Sequence, residues 1–238
     1  MTTSIAATLA PIMSMPLFWL TVTLGVFEAF DRLSRASKRH PLAHPVLWST
    51  PVLIAILWQT GTPYQAYKDD TFLLSFLLGP AVVGLAVPIW AQRERIARLA
   101  IPIALSLTAG AVTSIVLAVG ILKLFGAPAP MLASIASRAA TTPVSMAIAD
   151  QLGGVPALAA VIVLFAGCVG AMAATPLFAL LRFDDYRSRG FALGVSAHGF
   201  GAARAFQVND TAGAFASLGM ALNAVMTAML LSIVAALL

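Results

Sequence analysis

Charged side chains make up only 10% of this sequence, 14 Lys and Arg against 9 Asp and Glu in 238 residues. A soluble domain carries about 25%. With 60% of the residues hydrophobic, no single core of this length can hide the apolar surface. Lipid must act as solvent for most of the chain, which therefore reads as an all-α, polytopic integral membrane protein, one domain over residues 1–238. Cysteine is scarce too. Cys168 alone, in an apolar run, excludes an internal disulfide, and no metal-ligand spacing exists. Residues 1–15 lack the positive start of a cleavable signal peptide, so insertion is expected to rely on the first spanning segment. Serine elbow, zinc spacing and phosphate loop are all missing, so we expect no catalytic residue, metal or cofactor. The net charge of +5 sits mostly in short loops between apolar segments. That pattern marks membrane topology, and no nucleic-acid partner is expected.

What is present is a succession of apolar segments, roughly 16–31, 46–60, 71–91, 99–122, 131–150, 156–181, 190–206 and 213–238. About 20 residues suffice for one crossing, so seven or eight hydrophobic segments are expected. Three loops carry clustered positive charge: Arg32, Arg35, Lys38 and Arg39; Arg93, Arg95 and Arg98; Arg182, Arg187 and Arg189. If all three are cytoplasmic, the three segments between Arg98 and Arg182 are one too many. We favour a re-entrant segment 131–150 as the repair; an outward-facing third loop is the alternative. Glu28, Asp31, Asp150 and Asp210 fall near segment ends and are expected to be solvated.

Three places break the oily pattern. Leu193-Gly194-Val195-Ser196-Ala197-His198-Gly199-Phe200-Gly201-Ala202-Ala203-Arg204 puts a histidine, an arginine and three glycines at membrane depth. Ionisable groups there are costly and usually functional, and the glycines favour an interrupted or re-entrant helix. His198 and Arg204, six apart, converge only if the glycines break the helix. The second place is Arg138, followed by Thr141, Thr142 and Pro143. A helix starting there points its positive end at the threonines, and with a guanidinium makes a carboxylate site. The structural alternative is a snorkelling arginine beside an ordinary proline kink. The third is Gly79-Pro80, with Pro88 beyond it, expected to break the helix of 71–91 and faintly repeating the His198 stretch as part of an inverted repeat. Asn223 bonds either a substrate or a neighbouring helix. The small residues Gly110, Ala111, Ser114 and Ala171, Ala174, Thr175 suit helix association and a homo-oligomer.

Arg138-Ala139-Ala140-Thr141-Thr142-Pro143-Val144-Ser145-Met146-Ala147 is similar to "KSVTTPIAM". Ala197 to Ala205 resembles "SHGIGTARA", Gly213 to Asn223 resembles "GAFSSLAMGLNG", Gly153 to Pro156 matches "GGIP", and Leu77 to Pro88 is similar to "LxPAxVALAxPLY". These blocks belong to the LrgB family, also called CidB-like or holin-like membrane proteins, and the chain resembles that family from about residue 70 to its end. Here Arg138 stands where the family has lysine, Ala139 where it has serine, and Ala202 where it has threonine. The acidic residue that often follows the last motif appears as Gln207 or is absent. The resemblance implies a multi-pass protein of the bacterial inner membrane and a small companion membrane protein of the LrgA/CidA type. It also implies one of two activities. Some members look like carriers of small carboxylates such as pyruvate, glycolate, glycerate or hydroxypropionate; the older description is a holin-like regulator of murein-hydrolase export and cell lysis. For the carrier reading we expect Arg138 and Arg204 to bind the carboxylate together. Amides around Thr141, Thr142, Pro143, Gly199 and Gly201 complete its shell, with Asn223 nearby and His198 on a substrate hydroxyl or keto group.

Overall fold

The computed structural model describes residues 17–37, 43, 45–84, 86–91 and 93–237. Lys38 and Arg39 of the first basic loop lie outside them. The described residues contain helices and no strand, and they fall into two units that meet in sequence at Gly84 and Leu85.

The first unit holds α1 (Phe18–Ala36), α2 (Pro45–Thr60), α3 (Tyr64–Asp70) and α4 (Phe72–Gly84). Trp19 is buried and meets Tyr67 edge-on at 5.9 Å, while Thr23 Oγ1 and Tyr67 Oη share a hydrogen bond of 3.0 Å. Together these fix α3 against α1. Asp31, expected to be solvated, is in fact buried, with Arg35 Nε donating to its Oδ2 at 2.7 Å one turn away. A carboxylate so placed needs that partner. The expected break at Gly79-Pro80 is not made. The helical backbone of α4 runs through both residues and ends at Gly84. A proline deprives a helix of one donor, and a membrane helix tolerates that where neighbours satisfy the freed carbonyl.

The second unit holds α5 (Ala86–Ala91), α6 (Arg93–Arg98), α7 (Ala100–Leu124), α8 (Ala129–Ala136), α9 (Thr142–Gln151), α10 (Pro156–Leu180), α11 (Tyr186–Val208) and α12 (Asp210–Leu237). Pro88 lies in the first turn of α5, where the missing N–H is unpaired in any helix. Among the described residues three helices are long and apolar enough to cross a membrane: α7, α10 and Asp210–Ile233 of α12. The other two expected segments, 131–150 and 190–206, are both broken.

Each break has a local cause. The end of α7 is a left-handed turn at Gly126 (φ 71°), with Ala127 N–H donating to the Leu122 carbonyl, and Pro128 then prevents continuation. Between α8 and α9 the backbone leaves the helix at Ser137, and α9 restarts at Thr142 with Pro143 in its first turn. A glycine turn of the same kind closes α9 at Gly153 (φ 71°), where Gly154 N–H donates to the Ala149 carbonyl.

Within α11 the helix is interrupted at Ala197 (φ −128°, ψ 16°) and His198 (φ 40°, ψ −126°). The chain folds back there. A Cβ on Gly201 would lie 2.2 Å from the Leu193 carbonyl oxygen, eight residues earlier; in a continuous helix those residues stand about 12 Å apart. Gly190 of the first arm and Phe206 of the second both press on the first turn of α12, against Ala212 and Gly213. The arms 186–196 and 199–208 therefore form a helical hairpin with both open ends at one end of the unit.

That end is the basic one. Arg95, Asp184, Arg187, Asn209 and Thr211 share a cavity there, so the start of α7, the end of α10 and both ends of α11 lie together. The opposite end gathers Leu152 after α9, Ile115 and Val119 late in α7, and Ala228 and Leu231 late in α12. The α8–α9 pair thus starts and finishes at that opposite end. This is the re-entrant arrangement that the charge count favoured for 131–150. Within the second unit the His198 break thus faces a second break, at Arg138, entered from the opposite end.

Asp185 caps the α11 hairpin. Its carboxylate accepts from Arg187 N–H at 2.8 Å, and the Arg187 guanidinium holds it below the usual carboxylate range. Asp185→Ala is expected to cost about 1 kcal/mol in thermal unfolding. Because the folded-state value is lowered, that contribution is present above the ordinary value near 4 and fades as pH falls through the lower folded one.

Candidate functional site

The two breaks meet at mid-depth. Asn223, fourteenth of the 28 residues of α12, is fully buried. Its Nδ2 donates to the Ala139 carbonyl in one break at 2.9 Å and to the Val195 carbonyl at the end of the first α11 arm at 3.1 Å. One amide group thus ties both hairpin tips. Its Oδ1 is buried with no hydrogen-bond partner among the described residues. The first tip is closed by Ser137 and Ser145, both fully buried, whose hydroxyls lie 2.7 Å apart. Ser134 holds the base of that hairpin by accepting from Val155 N–H at 2.8 Å.

The second tip is set into α10. His198 Nε2 lies 3.1 Å from the Val163 carbonyl. A carbonyl only accepts, so Nε2 carries the proton. The ring meets Phe200 edge-on at 5.8 Å. Gly167 and Gly170 of α10 make room, since a Cβ on them would lie 2.6 Å from His198 Cε1 and 2.8 Å from the Ala197 Cβ. The backbone of His198 has the angles of the first central residue of a type II′ turn, a position that glycine normally fills. Strain of this kind costs on the order of 1–3 kcal/mol and persists where the surroundings over-determine it; the Val163 bond and the Gly167 notch do so here.

A cavity of about 620 Å³ runs between α7 and the first arm of α11. Asp185 and Arg187 stand at its basic end. Ile103, Phe191 and Phe215 form apolar walls, and Thr113, Ser114 and Arg138 lie at its inner end. The guanidinium of Arg138, which is partly buried, has no hydrogen-bond or ion-pair partner among the described residues. An uncompensated guanidinium at this depth is costly and asks for an anion.

The structure does not bring Arg138 and Arg204 together. Arg204 lies outside the cavity, within reach of Gln207 Oε1 at 3.3 Å and, on α10, of Thr175 Oγ1 at 3.4 Å. The reason is the fold-back, which turns the second arm toward α10 and leaves only the first facing α7. Gly199 and Gly201 go with the second arm, and His198 uses its Nε2 on Val163. Thr141, Thr142 and Pro143 form the start of α9, as the sequence suggested, but do not line the cavity. Asn223 bonds neighbouring backbone.

Several lining residues carry no motif signal. Ser106, Gly110, Thr113, Ser114 and Leu117 recur at helical spacing along α7, a pattern shared with any helix-association stripe. Gly110 and Ser114 thus line a cavity. Ala111, Ala171 and Ala174 are buried within the second unit. The spacing of Gly190 and Gly194 was a legible packing signal that motif reading passed over.

The chain matches the model of the LrgB-like family over residues 23–237. It is 31% identical to the protein YxaC of Bacillus subtilis over 209 residues, 87% of this chain and 91% of that one. It is 30% identical to YwbG of the same organism over 206 residues, covering 87% and 89%. The holin-like protein CidB of Staphylococcus aureus is 28% identical over 214 residues, covering 90% and 92%. No solved structure matches.

Proposed function

The chain belongs to the LrgB-like family, and from that premise we propose that it is a multi-pass carrier of small monocarboxylates, of the pyruvate or glycolate type, in the bacterial inner membrane. The observation that carries this reading is Arg138: a guanidinium at mid-depth with no partner among the described residues, at the inner end of a cavity that begins among charged residues. Two hairpins that reach mid-depth from opposite ends, as in discontinuous-helix transporters, support it. In this reading the carboxylate binds Arg138, with the hydroxyls of Thr113 and Ser114 beside it, and movement of one hairpin against the other alternates access. A small companion of the LrgA/CidA type works with it.

The second reading is a holin-like regulator of murein-hydrolase export and lysis. The names of the staphylococcal relatives support it, and more directly than any name supports carboxylate transport. It calls for association between copies. The burial of Ala111, Ala171 and Ala174 inside the second unit leaves those small faces unavailable for that role.

Proteoliposomes separate the two. Saturable uptake of labelled pyruvate or glycolate, abolished by Arg138→Ala in protein that still elutes as a folded species, is the expected result. Release of large dyes without saturable uptake, unaffected by that substitution, would overturn the carrier reading in favour of the holin-like one.

A further inference from the structure

The cavity that ends at Arg138 is longer and oilier than pyruvate or glycolate requires. Its lining follows α7 from Leu99 to Leu117, about 27 Å of helix. Cavities of roughly 300–1,000 Å³ enclose drug-sized ligands, and at about 620 Å³ this one is in that class. Polarity is distributed unevenly along it. Arg138, Thr113 and Ser114 line the inner part, and the hydroxyls of Thr113 and Ser114 make no hydrogen bond among the described residues. Between those residues and the Asp185–Arg187 pair the walls include Pro102, Ile103, Ala109, Phe191 and Phe215; Ser106 and Ser196 also line the cavity, each with its hydroxyl donating to a carbonyl of its own helix, Pro102 and Ala192.

We infer that the ligand of this cavity is a straight-chain monocarboxylate with an apolar tail of several carbons, its carboxylate on Arg138 and its tail lying back along α7 and the first α11 arm toward the basic end. The inference rests on the carrier reading, keeps its monocarboxylate, and replaces the pyruvate or glycolate type with a longer-tailed acid. A phospholipid headgroup does not fit the same chemistry. Arg138 shares the cavity with Thr113 and Ser114, which lie near the midpoint of the 25-residue α7, well below the level of headgroups. The elongated form favours an unbranched tail. A round cavity of this volume would be about 11 Å across, and the lining here extends more than twice that along the helix.

The test is equilibrium binding of labelled acetate, butyrate, hexanoate and octanoate to the full chain in nanodiscs of zwitterionic lipid, with empty nanodiscs subtracted. Affinity is expected to rise about four-fold per methylene as the tail is buried. Ala109→Phe, at an exposed position in the apolar stretch, is expected to bring octanoate down toward acetate, and Arg138→Gln to remove specific binding of the whole series. Equal affinity for all four acids, lost in Arg138→Gln, would overturn the tail site and leave the carrier reading intact. Affinity that rises with length but is the same in Arg138→Gln would be partition into lipid and overturns the inference. Absence of binding by every acid would sink both.

Discussion

Gly194→Ala is expected to unfold the α11 hairpin from α12. The new Cβ would stand 2.0 Å from the Ala216 carbonyl oxygen, and on Gly190 it would stand 2.1 Å from that of Ala212. Both neighbours are backbone, so no rotamer change relieves the clash, and the two helices must separate along their length. Overpacking of this kind costs about 1–3 kcal/mol where side chains can adjust; here a loss of about 3 kcal/mol or more is expected from each single substitution, and failure to fold from the pair. Gly199→Ala is the control. The nearest atom to a Cβ at Gly199 is Met220 Sδ at 4.0 Å, and its melting temperature is expected to stay within a few degrees of the parent. Thermal unfolding in one detergent compares all four proteins. Equal stability of Gly194→Ala and Gly199→Ala would refute the close approach of α11 and α12.

Asn223→Leu is expected to uncouple the two tips. The substitution keeps side-chain volume nearly constant, removes both donated bonds, and leaves the Ala139 and Val195 carbonyls without them. Interhelical bonds in membrane proteins average about 0.6 kcal/mol and reach about 1.7, so a loss of roughly 1–3 kcal/mol in thermal unfolding is expected. In the carrier reading the larger effect falls on uptake. Both breaks lose their shared anchor, and uptake is expected to drop at least about ten-fold in protein that remains folded, since a factor of ten corresponds to only about 1.4 kcal/mol. Full uptake in a folded Asn223→Leu protein would show that the tips act independently.

The two breaks were legible because their causes are local. Thr141, Thr142 and Pro143 write a helix start, and the glycines around His198 write an interruption. The re-entrant path of 131–150 was legible from charge, because two basic loops on one side, at Arg93–Arg98 and Arg182–Arg189, allow only an even number of crossings between them. Gly79-Pro80 misled for the converse reason. Proline weakens a helix locally, but neighbours decide whether it stops, and those neighbours are tertiary. The expected meeting of Arg138 with Arg204 failed on the same ground. Which helix each arm of α11 faces is set by the contact of Gly201 with Leu193 and by the notch at Gly167 and Gly170. No spacing within the His198 motif encodes either. The inner end of the cavity was half legible: Arg138 stood out as an isolated charge, whereas Thr113 and Ser114 look like any small polar residues on an apolar helix.

The mid-depth position of Arg138 has an electrical consequence. An anion that reaches it from the basic end has traversed roughly half of the transmembrane field, and a full crossing is worth about 2.3 kcal/mol per elementary charge per 100 mV. In the carrier reading, occupancy of the guanidinium would therefore answer to voltage as well as to concentration. With the basic end on the cytoplasmic side, as the charge pattern of the sequence suggests, a negative cell interior would drive the bound anion inward along the cavity and outward from the cell.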